Sequence, residues 1–300
     1  MSDGSNRNAA VRIGITSPIV TRVPGVSAEW EADAGIQELS QIAVVADRAG
    51  FHHLTCSEHV AVPVPVAETR GGTYWDPLAT LGFLAARTER IRLVTQVLVL
   101  GYHHPLEIAK RYGTLDAVSA GRLVLGLGVG SLEEEFALLD VPFTERGARA
   151  DDALSALRES LSKREPSYRG EYFEYADVVV EPCAVQPRVP MWIGGRTPRS
   201  LRRAYEFGDG WVPFGLAFDE VKTMLAKRQP PPSFDVVLSA ARLDPLGDPD
   251  TTRRRLDRAI AAGATIVGAG VDAGSADHYC DQLLALAELF GREFGHLEKR

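Results

Sequence analysis

The sequence predicts a single (β/α)8 barrel, a TIM-barrel fold of the α/β class with an insertion after its fourth strand. Eight short apolar runs rich in β-branched residues alternate with helical patterns along the chain. Such alternation favours a parallel α/β fold, and eight strand–helix pairs fit a closed barrel better than an open doubly wound sheet. The 300 residues suit one such domain, because these barrels commonly reach about 250 residues. We expect a disordered leader at residues 1–10 and one domain over residues 11–300.

The strands come first in this prediction. They are expected at residues 11–17, 53–57, 91–98, 123–128, 191–194, 210–213, 234–240 and 264–268. A long amphipathic helix is predicted over residues 28–49, and a second over 76–88, where Asp76 precedes Pro77 as an N-cap. Later helices are expected to begin near residues 198, 217, 248 and 275. The insertion, about 131–190, holds a helix over about 146–163 and an aromatic segment predicted to form a small hairpin.

Composition excludes several classes of protein. The net charge of −7 and the absence of a basic run argue against a nucleic-acid partner. Three cysteines, far apart in sequence, indicate a reducing compartment rather than a disulfide framework. No apolar run approaches the ~20 residues of a membrane helix. We therefore expect a soluble, cytoplasmic protein without a membrane partner.

Barrel enzymes carry their chemistry at the C-terminal ends of the strands. The region 91–130 supplies two such ends, because it reads as a βαβ unit whose strands both close on loops rich in glycine or small residues. A cofactor is expected to lie there. The residues predicted at strand ends are Ser17, 57–59, 96–100, 128–131, 194–197, 213–215 and 242–244.

Several of these stretches together resemble the luciferase-like monooxygenase superfamily, and within it the deazaflavin (coenzyme F420)-dependent oxidoreductases. They occur in the family's order between residues 50 and 215, and they read GFHHLTCSEH, DPLATLGFLAARTERIRLVTQVLVLGYHHPLEIAKRYGTLDAVSAGRLVLGLGVGSLEEEF, RGARADDALSALRE, VPMWIGGRTPRSLRRA and FGDGWVPFG. The resemblance implies a TIM barrel with F420 or FMN across the strand ends, a small-molecule substrate and a homodimer.

The resemblance also implies particular site residues. A non-prolyl cis peptide bond between Gln96 and Val97 is expected to form a bulge behind the deazaflavin ring. His59 matches a histidine that lies beside the ring and is expected to donate or accept a proton. A turn that binds the cofactor phosphate is implied at Gly194, Gly195, Arg196 and Thr197, and a cleft wall at Gly128, Gly130 and Ser131.

The physical basis of the phosphate turn is simple. Glycine lets the backbone approach an anion, free N–H groups point at it, and the dipole of the following helix favours negative charge. The activity that the resemblance implies is hydride transfer between the deazaflavin and an unidentified small organic substrate. One alternative is an FMNH2-dependent monooxygenase. Another is a non-catalytic flavin-binding or structural member with a plugged cleft, against which the glycines argue.

One residue departs from the family pattern. The sugar-phosphate dehydrogenase of this family has a catalytic glutamate directly after the glycine turn, where this chain has Ser131. Glu133, Glu134 and Glu135 follow, and they are most simply favourable charges at a helix N-terminus, with a catalytic role for Glu134 the alternative. We therefore expect no glucose 6-phosphate activity.

No functional site is predicted from two further motifs. Adjacent histidines occur at His52-His53 and His103-His104, but neighbouring strand residues point to opposite faces, so no metal site is predicted. The glycines from Gly126 to Gly130 lack the spacing of a dinucleotide-binding fingerprint.

Overall fold

The computed structural model describes residues 11–294, so the predicted leader at 1–10 lies outside the described residues. Eight parallel strands pair in chain order, and the first pairs with the eighth through Arg12 and Ile266, which closes the barrel. The predicted TIM barrel is therefore confirmed. Its strands are Arg12–Ile15, His53–Cys56, Arg92–Thr95, Leu123–Gly128, Met191–Gly194, Gly210–Val212, Asp235–Leu243 and Ile266–Val271.

Helices surround the barrel. Several begin at a side-chain cap followed by proline, as at Asp76, whose carboxylate accepts from the Ala79 N–H at 2.7 Å, and at Asp248, which accepts from the Thr251 N–H at 2.9 Å. No helix within the described residues is both long and apolar enough to cross a bilayer. The helices are Ile36–Ala49, Val64–Arg70, Pro77–Ala85, Pro105–Val118, Glu133–Leu138, Arg146–Ser160, Pro198–Phe207, Phe218–Lys227, Pro249–Ala261 and Ala276–Phe294.

Several elements differ from the prediction in their boundaries or their presence. The helix expected over 28–49 is a 3-10 turn, Glu29–Ala32, followed by Ile36–Ala49, because Gly35 starts a new helix whose Glu38 accepts its N–H at 2.7 Å. The third strand ends at Thr95 rather than at residue 98. The loop after the second strand contains the helix Val64–Arg70, which the prediction missed.

The barrel interior is filled by branched and aromatic side chains. Both Trp192 and Trp211 are buried. The interior cluster comprises Val94, Val124, Trp192, Val212, Val237 and Ile266. The bottom of the barrel is thus a packed core rather than a pore, which leaves the other end of the strands for a ligand.

The insertion packs on the barrel through its helix Arg146–Ser160. Its predicted hairpin is present, with Tyr168–Arg169 paired antiparallel to Glu174–Tyr175. The carboxylate of Asp152, on the helix Arg146–Ser160, accepts the backbone N–H groups of Tyr172 at 2.7 Å and Phe173 at 3.0 Å. This carboxylate holds the hairpin against the helix.

Candidate active site

The ends of the second and third strands are joined by hydrogen bonds. The backbone N–H of Gln96 donates to the carbonyl of Cys56 at 2.8 Å, and that of Val99 donates to Oε2 of Glu58 at 2.6 Å. The other oxygen of Glu58 lies 2.7 Å from Nε2 of His103. The buried Glu58 therefore holds the segment after the third strand against the loop that carries His59.

The peptide bond between Gln96 and Val97 is cis, as predicted. Both residues are half-buried, between the strand Arg92–Thr95 and the short strand Leu98–Val99. The side chain of Val97 lies against Gly128 and Gly194, at the ends of the fourth and fifth strands. Val97 therefore forms a partly exposed apolar surface at the mouth of the barrel.

The glycines at the mouth are explained by packing of the chain on itself. The space that a Cβ would need is taken by Val97 at Gly128 and Gly194, by Phe136 at Gly130 and by Ser200 at Gly195. Gly130 also has a φ of +80°, which favours glycine. Packing of the chain on itself therefore accounts for these glycines, and their presence does not by itself show whether the cleft is open.

His59 is held by a buried carboxylate. Its Nδ1 lies 2.6 Å from Oε2 of Glu135, whose side chain is fully buried, while the imidazole is 18% exposed. The ring of His59 also meets the edge of Tyr74, with centroids 4.4 Å apart. The same oxygen of Glu135 accepts from the hydroxyl of Tyr102 at 2.7 Å. One carboxylate oxygen thus orients an imidazole and a phenol together.

The electrostatics of this cluster favour an ionised carboxylate. Burial alone would raise the pKa of Glu135, but hydrogen bonds from His59, Tyr102 and the Ala61 N–H outweigh it, and the pKa is lowered. Burial and the hydrogen bond to Glu135 raise the pKa of Tyr102, and burial raises that of Tyr74. At neutral pH the site therefore combines one carboxylate with two neutral phenols.

Two backbone N–H groups of the predicted phosphate turn make hydrogen bonds within the protein. The N–H of Gly195 donates to the carbonyl of Val212 at 3.3 Å, and that of Thr197 donates to the hydroxyl of Ser200 at 3.1 Å. The expectation of free N–H groups is therefore wrong at these two positions. Arg196 and Arg199 keep backbone N–H groups without a hydrogen-bond partner among the described residues, and both side chains are exposed.

Ser131 lies beside an arginine. Its hydroxyl is 3.5 Å from Nη1 of Arg70, at the end of the helix Val64–Arg70, and both residues are exposed. The carbonyl of Arg70 accepts from the hydroxyl of Tyr74 at 3.1 Å. The guanidinium group of Arg70 therefore lies beside Ser131, the position at which the family resemblance implies an acid.

The carboxylate of the site is Glu135 and not Glu134. Glu133 and Glu134 are exposed, whereas Glu135 is buried and hydrogen-bonded to His59. The alternative role considered for Glu134 finds no support in these contacts, which involve Glu135 instead. The sequence offered one usable signal, because Glu135 precedes Phe136, which is also buried, and the buried face of a short helix includes both.

The adjacent histidines form no recognisable metal site. Nδ1 of His52 lies 3.0 Å from Nδ1 of His53 at the start of the second strand, remote from the mouth. Within residues 11–294 no group of three or more histidine, cysteine or acidic side chains is arranged to hold a metal ion.

Known proteins resemble this chain in sequence. A protein of Mycobacterium tuberculosis strain H37Rv described as uncharacterized is 29% identical over 274 residues, which cover 85% of this chain and 95% of the relative. An F420-dependent glucose-6-phosphate dehydrogenase of Microbacterium testaceum is 33% identical over 181 residues, which cover 59% of this chain and 52% of the relative.

Solved structures share the fold. Monooxygenase RslO1 from Streptomyces bottropensis superposes with a TM-score of 0.75 and 22% identity, covering 92% of this chain and 98% of the other. Coenzyme F420-dependent tetrahydromethanopterin reductase from Methanopyrus kandleri superposes with a TM-score of 0.74 and 16% identity, covering 95% and 100%. The family profile described as luciferase-like monooxygenase matches residues 11–241. This chain therefore belongs to the luciferase-like monooxygenase family.

Proposed function

We propose that this protein is an F420-dependent oxidoreductase that transfers a hydride between the deazaflavin cofactor and a small organic substrate. The observation that carries the proposal is the arrangement of His59. Its partly exposed imidazole is held by the buried Glu135, and its loop is hydrogen-bonded through Cys56 to the Gln96–Val97 bulge. A titratable group and an apolar surface thus meet at one end of the barrel, where such folds carry their chemistry.

The residues at the mouth fit a deazaflavin. Val97 offers a partly exposed apolar surface to a flat ring, and the backbone N–H groups of Arg196 and Arg199 remain available to an anion. The exposed guanidinium groups of the same two arginines add charge-assisted donors for a phosphate. The residues that we assign to the cofactor are His59, Gln96, Val97, Gly128, Gly130, Ser131, Gly194, Gly195, Arg196 and Thr197, with Arg199 as a further phosphate contact.

The cofactor and the residues of the chain would have different roles in the reaction. When bound, F420 supplies the carbon that gives or receives the hydride. His59 holds the proton that must move with it, Glu135 fixes the imidazole, and Val97 forms the surface under the ring. Arg196 and Arg199 would bind the cofactor phosphate through their backbone N–H and guanidinium groups.

Two cofactors remain candidates. F420 is favoured because the glucose-6-phosphate dehydrogenase relative and the tetrahydromethanopterin reductase structure are both described as F420-dependent. An FMNH2-dependent monooxygenase is the second candidate, because RslO1 and the family itself carry the monooxygenase description.

A titration distinguishes the two. Purified protein is titrated with F420 and, separately, with FMN, and cofactor fluorescence is followed. We expect saturable binding of F420 and much weaker binding of FMN. Tight binding of FMN together with no binding of F420 contradicts the proposal and supports the monooxygenase.

A histidine variant tests the chemistry. His59→Asn is expected to lose hydride transfer by about 100-fold or more, since a positioned acid or base contributes about that much, and this loss should exceed any change in F420 affinity. His278→Asn is the matched control, because His278 is exposed and hydrogen-bonds only the neighbouring turn at Gly274 and Ser275. Equal rates in the two variants contradict the role of His59.

A further inference from the structure

Glu135 is placed unusually for one of three consecutive glutamates. Its side chain is fully buried, although the helix that carries it has only six residues. Donors come to it from two distant parts of the chain, 33 and 74 to 76 residues away. They are the Val60 N–H at 2.6 Å, the Ala61 N–H at 3.1 Å, His59 Nδ1 at 2.6 Å and the Tyr102 hydroxyl at 2.7 Å.

The two oxygens of Glu135 have different tasks. Oε1 accepts both backbone N–H groups, from Val60 and Ala61, and so fixes the loop. Oε2 faces only side chains, namely His59 and Tyr102. Loop anchoring and imidazole orientation are therefore separated within one carboxylate.

The second oxygen determines where His59 carries its proton. An ionised carboxylate accepts hydrogen bonds and cannot donate them, and the hydrogen bonds around Glu135 keep its pKa low. Nδ1 of His59 must then be the donor across the 2.6 Å contact. Nε2 has no hydrogen-bond partner within residues 11–294 and is left as the nitrogen that can exchange a proton.

We propose that Glu135 is a positioning residue that keeps the Nδ1–H tautomer of His59 and thereby reserves Nε2 for proton transfer. Glu135 contacts the imidazole at Nδ1 and lies four positions after Ser131 in the sequence. The position of Ser131 is the one at which the resemblance implies an acid in the sugar-phosphate dehydrogenase. The full burial of Glu135 keeps it away from substrate. The inference rests on the proposed oxidoreductase function only for its kinetic consequence, since the tautomer is a property of the free protein.

The variant Glu135→Gln separates the two tasks. An amide has one accepting oxygen and one NH2 group that only donates. The amide oxygen can keep both backbone N–H groups of the loop, and the NH2 group then faces His59 and Tyr102. Nδ1 of His59 must become an acceptor, so the proton of the neutral ring moves to Nε2. The loop stays anchored while the tautomer is reversed.

The direct test is 15N NMR of histidine-labelled protein without cofactor, recorded from about pH 6 to about pH 9 so that the neutral ring is observed. The His59 signals are assigned by their loss in His59→Asn. We expect the Nδ1–H pattern in the wild type and the Nε2–H pattern in Glu135→Gln. A neutral wild-type ring protonated on Nε2 overturns the proposal, and this measurement requires no variant of Glu135. An unchanged tautomer in folded Glu135→Gln overturns it as well.

Tyr102→Phe is the matched control. It removes one donor from the same carboxylate oxygen but leaves the charge, so the His59 tautomer should not change. In the F420-loaded enzyme we expect kcat to fall about 100-fold in Glu135→Gln, with KM and F420 affinity within about twofold of wild type. Glu134→Gln, which changes an exposed neighbouring glutamate, should keep kcat within a few-fold of wild type; a loss equal to that of Glu135→Gln contradicts the proposal. If the wild type binds FMN tightly and does not bind F420, the proposed function fails and the NMR result alone decides the role of Glu135.

Discussion

Val97 and Gly128 touch at the mouth of the barrel so closely that a Cβ on residue 128 would lie 2.6 Å from Cγ2 of Val97. The other methyl group of Val97 lies 2.9 Å from the position of a Cβ on Gly194. The fourth and fifth strands, which carry these glycines, are directly paired. The position of Val97 therefore depends on two glycines that are far apart in sequence.

We expect Gly128→Ala to lower the free energy of unfolding by about 1–3 kcal/mol, because a β-branched side chain has little freedom to move away. Val97→Ala in the same protein should restore much of the loss, since it removes the methyl group that clashes. Urea unfolding of the two single variants and the double variant measures this coupling. Gly82→Ala is the control, because nothing lies within 4 Å of a Cβ there. If Gly128→Ala is as stable as Gly82→Ala, the side chain of Val97 can move to make room for a Cβ at residue 128, and the prediction is wrong.

The second prediction concerns His103. Burial alone would lower the pKa of His103, but the hydrogen bond and the charge of Glu58 outweigh it and raise the pKa. A base whose pKa is raised by folding stabilises the protein below its unfolded pKa, about 6.5, and loses that contribution as the pH rises through the folded pKa. The Glu58–His103 pair should therefore stabilise the segment after the third strand most strongly in mild acid.

Replacing Glu58 with Gln should lower the titration midpoint of His103 in an NMR titration. It should also cost more stability below about pH 6.5 than at alkaline pH. Glu107→Gln is the comparison, because that carboxylate is more exposed and lies 3.7 Å from Nδ1 of His103 rather than 2.7 Å from Nε2. A midpoint that moves equally in both variants would show that Glu58 has no special role.

The barrel could be predicted from sequence because each strand is indicated by a pattern of residues that are adjacent in the chain. The strands Leu123–Gly128 and Met191–Gly194 fall where continuous apolar runs end in glycine, and the helix Pro198–Phe207 begins at the predicted proline. Each of these depends on residues adjacent in the chain. The break between the 3-10 turn and Ile36–Ala49 was missed because apolar spacing continues across it, while Gly35 interrupts the helical backbone.

The site was only partly predictable for a different reason. His59 and the Gln96–Val97 bond came from a family resemblance, but the partner of His59 depends on contacts across the fold. Three consecutive glutamates are equivalent in sequence, and only donors 33 to 76 residues away make Glu135 the buried one. The environment of the mouth glycines is also tertiary, since Val97, Phe136 and Ser200 occupy the space beside them.

Asp116 ties the end of the insertion to the barrel. Its carboxylate is buried and accepts the side-chain amide of Gln186 at 2.7 Å and the backbone N–H groups of Val185 at 2.9 Å, Gln186 at 3.0 Å and Leu123 at 3.3 Å. Asp116→Ala leaves these donors without an acceptor, so we expect a loss of about 3 kcal/mol in unfolding free energy. Asp116→Asn keeps one accepting oxygen and should lose less. Urea denaturation measures both, and the exposed Asp281→Ala should stay within about 0.5 kcal/mol of wild type. A similarly small effect of Asp116→Ala would contradict the role of this carboxylate.

Glucose 6-phosphate is not expected to reduce F420 on this protein. Ser131 offers a hydroxyl, 3.5 Å from the Arg70 guanidinium, at the position where the family resemblance leads us to expect a carboxylate in a sugar-phosphate dehydrogenase. The absorbance of F420 is followed with glucose 6-phosphate and the wild-type protein, with an F420-dependent glucose-6-phosphate dehydrogenase as the positive control. Turnover clearly above the protein-free background would refute this prediction.

The buried His53 makes a further prediction about pH. Its ring is fully buried beside Gly14, and burial, together with the charges of Arg12 and Arg92, lowers its pKa to about 3. The native ring therefore stays neutral in mild acid, while the unfolded chain takes up a proton below about pH 6.5. Since the unfolded state then binds more protons, stability falls as the pH decreases from about 6.5 towards 3.

His53→Gln removes this titration and should reduce the slope of unfolding free energy against pH by about 1.4 kcal/mol per pH unit in that window. The slope is informative even if the variant is less stable at every pH, because a constant loss does not change it. Urea unfolding at several pH values between about 4 and 8 measures the slope for both proteins. Above about pH 6.5 the two curves should run parallel, since His53 then binds no proton in either the native or the unfolded state. Parallel curves across the whole range would contradict the prediction, because they would mean that His53 takes up its proton equally in the native and the unfolded protein.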